Sequence, residues 1–117
     1  MITIITTSRE LTEVEKYLMT ASPEIQVIKD IDDNEIIPVD AYCIFKDEKE
    51  NGETVELLSI LTSDKKAYSC QSATFKRSFN DVANIMNGKP FSIKKISGTT
   101  KSGRPFINCV LDINSAQ

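Results

Sequence analysis

The side chains best suited to chemistry in this sequence are the cations Lys65, Lys66, Lys94, Lys95, Lys101 and Arg104 and the rings Tyr42, Tyr68 and Phe106. Cations neutralise an anionic backbone, and exposed rings offer faces on which flat heterocycles stack. Together they suit the holding of a polyanion rather than a reaction on one. Lys94, Lys95, Lys101 and Arg104 fall within residues 92–113, where two strand-like runs flank a glycine-bearing turn. The overall charge is divided in the same sense. Residues 1–60 hold 5 Lys/Arg against 14 Asp/Glu, a net of −9, and residues 61–117 hold 9 against 3, a net of +6. The formal charge of −3 therefore hides a dipolar molecule, and its basic half is the footprint expected for an anionic partner. A solvated charged surface is the plainer reading of the same residues.

Other chemistries find little support. There is no histidine, which excludes His-based triads, His metal sites and His general bases. Gly98 to Gly103 has the spacing of a phosphate-binding loop, but Arg104 and Pro105 stand where Lys and Ser/Thr are needed. Cys43, Cys70 and Cys109 are odd in number and lack C-x-x-C spacing, which argues for a reducing cytoplasm and against a disulfide framework. Asp32-Asp33-Asn34-Glu35 lacks the glycine and spacing of a calcium loop. The remaining carboxylates read as solvated surface. No nucleophile–base pair is visible, so no enzyme activity, cofactor or metal is expected. No apolar run is long enough to span a membrane, and Met1–Ser8 does not read as a signal peptide.

The elements that must position these groups follow from period and punctuation. Residues 2–6 are β-branched and read as a strand or arm. Thr7 and Glu10 fit a capping box for a helix over 9–20, which Ser22-Pro23 stops. Residues 25–31 are ambiguous. From Ile36 to Phe45 the pattern alternates as one strand, with Tyr42 on its outward phase. Asn51-Gly52 turns the chain into a strand over 54–62 that is apolar on both faces in its middle. A short strand over 67–71 carries Tyr68. Phe75, Phe79, Val82 and Met86 form the stripe of a helix over 73–87, ended by Asn87-Gly88. A strand over 91–97 shifts its apolar phase, predicting a bulge at Lys94-Lys95. In the last strand, 105–113, Ile107, Cys109, Leu111 and Ile113 face the core, and Phe106, Asn108 and Val110 face out.

This order predicts a mainly β fold with two helices. Three strands, a helix and two strands match a five-stranded Greek-key OB-fold barrel, with the helix between its third and fourth strands. The division expected is an N-terminal arm and helix over 1–22, followed by the OB-fold domain over 23–117. The arm is β-branched enough to pair with a neighbour's sheet edge, so a homo-oligomer through residues 1–20 is expected.

Several segments carry a resemblance. They are Ile36-Ile-Pro-Val-Asp-Ala-Tyr-Cys-Ile-Phe-Lys-Asp47, Asn51-Gly-Glu-Thr-Val55, Leu58-Ser-Ile-Leu-Thr62, Ala67-Tyr-Ser-Cys70, Gln71-Ser-Ala-Thr-Phe75 and Ile93-Lys-Lys-Ile-Ser-Gly-Thr-Thr-Lys-Ser-Gly-Arg-Pro-Phe-Ile107. The sharpest is the hairpin Ser97-Gly-Thr-x-Lys-x-Gly-Arg104. Over most of residues 17–113 the chain resembles the small single-stranded-DNA-binding proteins of phages and conjugative plasmids of Gram-positive bacteria. The resemblance implies an OB-fold and the coating of single strands during replication or transfer in a bacterial cytoplasm. Ile113 to Gln117 does not read as an acidic recruiting tail. RNA is an alternative partner. A protein–protein module or inhibitor encoded by a mobile element is the alternative function.

Overall fold

The computed structural model describes residues 1–114. In chain order the elements are β1 (Ile2–Thr7), α1 (Glu13–Thr20), β2 (Gln26–Val27), a single 3-10 turn (Ile28–Asp30), β3 (Ile36–Val39), β4 (Ala41–Glu48), β5 (Thr54–Leu61), β6 (Ala67–Cys70), α2 (Ala73–Met86), β7 (Phe91–Thr99) and β8 (Pro105–Leu111). The mainly β class with two helices is as expected. The strands divide between two sheets, one ordered β1-β4-β5-β6-β2 and one ordered β3-β7-β8. Pairing is antiparallel except between β2 and β6. Among the described residues the sheets do not close into a barrel, because β6 and β8 are not paired.

The run from Ile36 to Phe45, expected as one strand, changes sheets at Asp40. β3 pairs with β7 and β4 pairs with β5. At the joint, the Asp40 amide donates to the Leu61 carbonyl at 2.9 Å. Alternation continues through the joint, so periodicity alone does not mark it.

Both faces of the five-stranded sheet are covered. Tyr42, Ile44, Leu58, Ile60, Tyr68 and Cys70 face α2, whose Phe75, Phe79 and Ala83 fill the larger core. Ala41, Cys43, Phe45, Leu61 and Ala67 face α1, where Leu11 and Met19 complete a second core. This two-sided burial explains why β5 is apolar on both faces. The first twenty residues are therefore part of the packed body. β1 pairs with β4 of its own chain, from Ile2 opposite Asp47 to Thr7 opposite Cys43.

The cap of α1 lies five residues later than predicted. Thr12 accepts from the Glu15 amide and the Glu15 carboxylate accepts from the Thr12 amide. Thr7 instead ends β1. The α2 signals hold: Ser72 caps the start, and Asn87 at φ +50° ends the helix.

The predicted bulge at Lys94-Lys95 is absent. β7 pairs with β8 in one unbroken register from Ile93–Leu111 to Thr99–Pro105. Phe91, Ile93 and Lys95 keep one inward phase, and the third inward residue happens to be a lysine. Ile113, predicted to face the core, lies beyond the end of β8 and is exposed. The C-terminal segment considered as a tail continues into residues 115–117, outside the described residues. No helix among the described residues is long and apolar enough to cross a membrane.

Candidate nucleic-acid interface

The unpaired seam between β6 and β8 opens a groove of about 710 Å³. Its walls come from four places. Val27 and Lys29 lie on one bank; Leu57 and Ser69 form the sheet side. Cys70, Gln71 and Ser72 lead into α2, and Ser97, Gly98, Pro105, Phe106 and Ile107 belong to the turn-proximal end of the β7–β8 hairpin. Register explains the sheet side. Ser59 pairs with Ser69, and Ser69 pairs with Val27, so these residues share a face. That face is the one α1 covers further along, at Leu61 and Ala67. The groove begins where the cover of α1 ends.

Phe106 is half-buried at the hairpin wall and lies directly opposite Gly98. A Cβ built at Gly98 would sit 2.5 Å from the Phe106 ring tip, so only glycine lets the ring rest there. The turn beyond is closed by its own backbone. The Gly103 amide donates to the Thr100 carbonyl at 2.9 Å, and the Thr100 amide donates to the Arg104 carbonyl at 2.9 Å. Gly103 takes φ +87°, a left-handed value that glycine adopts without strain. Lys101 and Arg104 stand exposed on this turn, and neither pairs with a carboxylate among the described residues. Lys29 is likewise exposed and unpaired on the opposite bank. The groove thus has a ring and a cation, Phe106 and Lys29, in its lining, with Lys101 and Arg104 on the hairpin turn beyond. One carboxylate is close: Ser97 donates to Asp33 at 2.6 Å, which holds the Asp33 carboxyl below its usual range.

The other sequence-predicted residues divide by environment. Tyr68 is 6 % exposed in the α2-side core, and that burial raises its phenol pKa. It offers no free face for stacking, which corrects its expected role. Tyr42 packs edge-on against Phe79 with ring centroids 4.9 Å apart, at the margin of the same core. Its strand phase is not solvent-facing, because α2 covers that side.

Lys95 is the clearest correction among the cations. It is 4 % exposed, and its ammonium donates to the carbonyls of Ile31 at 2.6 Å and Lys29 at 3.2 Å. Asp33 lies 3.4 Å away. Lys95 is an internal tie, and one thing it ties is the backbone of groove-lining Lys29. Lys94 points to the other side of β7, 3.9 Å from Asp112. Lys65 and Lys66 stand at the opposite end of β6 from the groove. Lys65 donates to Glu15 at 3.1 Å, and Lys66 lies 3.9 Å from Asp64.

Of the nine expected residues, Phe106 lines the groove; Lys101 and Arg104 lie on the turn of the same hairpin, outside the lining. Sequence reasoning missed Val27, Lys29 and Gln71. The signal was slight: residues 25–31 show no period, and β2 is two residues long. The thiols offer no competing chemistry. Burial pushes Cys43 and Cys70 up to about 11 and Cys109 up to about 12, so they stay protonated and weakly nucleophilic at neutral pH. No family model, curated protein or solved structure matches the chain.

Proposed function

We propose that this chain binds single-stranded DNA without catalysis and with little dependence on base sequence. The observation that carries the reading is the groove at the β6–β8 seam, which has Phe106 and Lys29 in its lining and, on the hairpin turn beyond Phe106, the exposed cations Lys101 and Arg104, none of the three paired with a carboxylate among the described residues. A ring stacks any base, and nearby cations neutralise the phosphates that flank it. Duplex DNA keeps its bases stacked inside and cannot present one to a ring set within a groove.

The strand pairings support an OB-type arrangement as the scaffold. Taking β3 and β4 as the two halves of a first strand, the pairs β4–β5, β5–β6, β3–β7 and β7–β8 supply four of the contacts that such a barrel needs. The helix α2 falls between its third and fourth strands. The contact left out is β6–β8, and its place is taken by the groove. Coating of single strands in phage or plasmid replication or transfer is the role this reading supports.

The test is a fluorescence-anisotropy titration of one labelled oligonucleotide, alone and annealed to its complement, at matched salt. Tighter binding of the single strand is expected. Equal affinity for both overturns the reading, and binding of neither favours a protein-binding module.

A further inference from the structure

A second, smaller cleft of about 220 Å³ opens on the same face of β6 as the groove. Ala67 borders the cleft and Ser69 borders the groove. Residues two apart on a strand point the same way, so both side chains face the α1 side, roughly 7 Å apart at the strand rise. The edge strand β2 separates the two openings. Gln26 borders the cleft and the next residue, Val27, borders the groove. Val27 is 42 % exposed on this ridge.

The cleft has a chemistry of its own. The half-buried Leu18 and Ile25, beside the buried Ala67, give it an apolar floor, and Lys65 and Lys66 stand at its rim. The two lysines are not equivalent. Lys65 is committed to the buried Glu15 carboxylate at 3.1 Å. Among the described residues Lys66 pairs with Asp64 at 3.9 Å, with both side chains more than half exposed. Such a surface pair contributes little, so a phosphate can displace it. Glu24 also borders the cleft, which sets a negative charge against any phosphate bound there and leaves Lys66 as the contact that must offset it.

We infer that the cleft is a second subsite for the same single strand of DNA. A base-bearing unit next to the one in the groove crosses the β2 ridge and lays its base on the half-buried Leu18 and Ile25. Its phosphate is held by Lys66. The inference rests on the single-strand reading of the groove and adds the direction in which the strand leaves it.

The experiment uses oligo-dT of increasing length against the wild-type chain, Lys66→Gln and Lys66→Glu. Wild type defines the shortest length that binds, and a longer oligonucleotide follows. The variants are expected to match wild type on the short one. On the longer one, Lys66→Gln is expected to lose affinity and to show a salt slope shallower by about 0.7, the value for one phosphate contact on a single strand. Melting temperatures close to wild type confirm that the exposed substitutions leave the fold intact. If both variants match wild type on the longer oligonucleotide, or lose as much on the short one, the subsite proposal is overturned while the groove stands. Failure of the wild-type chain to bind either length overturns the single-strand reading and the subsite with it.

Discussion

Gly98 and Phe106 face each other across the β7–β8 ladder, and the Phe106 ring occupies the space that any side chain at Gly98 would need. The glycine is therefore a rest for the ring rather than a hinge, and the two positions should behave as one unit in binding. Phe106→Ala removes the ring and is expected to weaken single-strand binding about tenfold, within the range of about 1–3 kcal/mol per stacked base. Gly98→Val forces the ring away and should cost a similar factor. The double variant should bind no worse than Phe106→Ala alone, because the ring displaced by valine is already gone. Additive losses in the titrations would show that Gly98 serves something other than the ring.

The cations of the groove lining and of the hairpin turn are separable by salt. Lys29→Ala, Lys101→Ala and Arg104→Ala should each make the slope of log affinity against log salt shallower by about 0.7, whatever the base sequence. Lys16→Ala on α1, where Lys16 pairs with Glu13, serves as the control and should leave the slope unchanged. Slopes equal to wild type for all three groove variants would reduce the hairpin to a solvated turn.

Lys95 should respond in the opposite way. Its replacement by Ala leaves the carbonyls of Lys29 and Ile31 without their buried donor. A stability loss of about 1–3 kcal/mol is expected from urea unfolding. The salt slope of the folded protein should not change, since Lys95 touches no phosphate. A shallower slope with unchanged stability would place Lys95 back among the contacts.

These contrasts show what the sequence could and could not convey. The α2 stripe and its Asn87-Gly88 stop were legible because one amphipathic helix explains them. β7 was misread at Lys95 because an inward lysine looks like a phase break when its carbonyl partners lie more than sixty residues away in sequence. Tyr42, expected on an outward phase, shares its face of the sheet with Tyr68, but α2 covers that face, and alternation says nothing about what lies above a strand. The groove itself was invisible. It arises from a pairing that does not form, between β6 and β8, and from β2, too short to leave a periodic trace.

Glu15 ties α1 to the rest of the body. Its carboxylate accepts from Arg9 at 2.8 and 3.1 Å, from the Thr12 amide at 2.9 Å and from Lys65 at 3.1 Å. These donors, Arg9 first, hold its pKa far below the ordinary 4.5. A carboxyl depressed on folding stabilises the protein above its unfolded pKa, and that stabilisation is lost as pH falls below about 4.5. Urea midpoints for the wild-type chain should therefore drop through the acid range. Glu15→Gln should start lower at neutral pH and fall less steeply. Parallel acid limbs for the two proteins would contradict the assignment.

The central claim is that a single strand lies in the groove beside Phe106. It is tested most directly by photocross-linking an iododeoxyuridine-substituted oligonucleotide to the protein and mapping the adduct by peptide mass. The account predicts a cross-link at Phe106, in the wall between Pro105 and Ile107, that is competed away by unlabelled single strand and not by duplex. Adducts confined to Tyr17, which is 53 % exposed on α1 outside the groove, would contradict it.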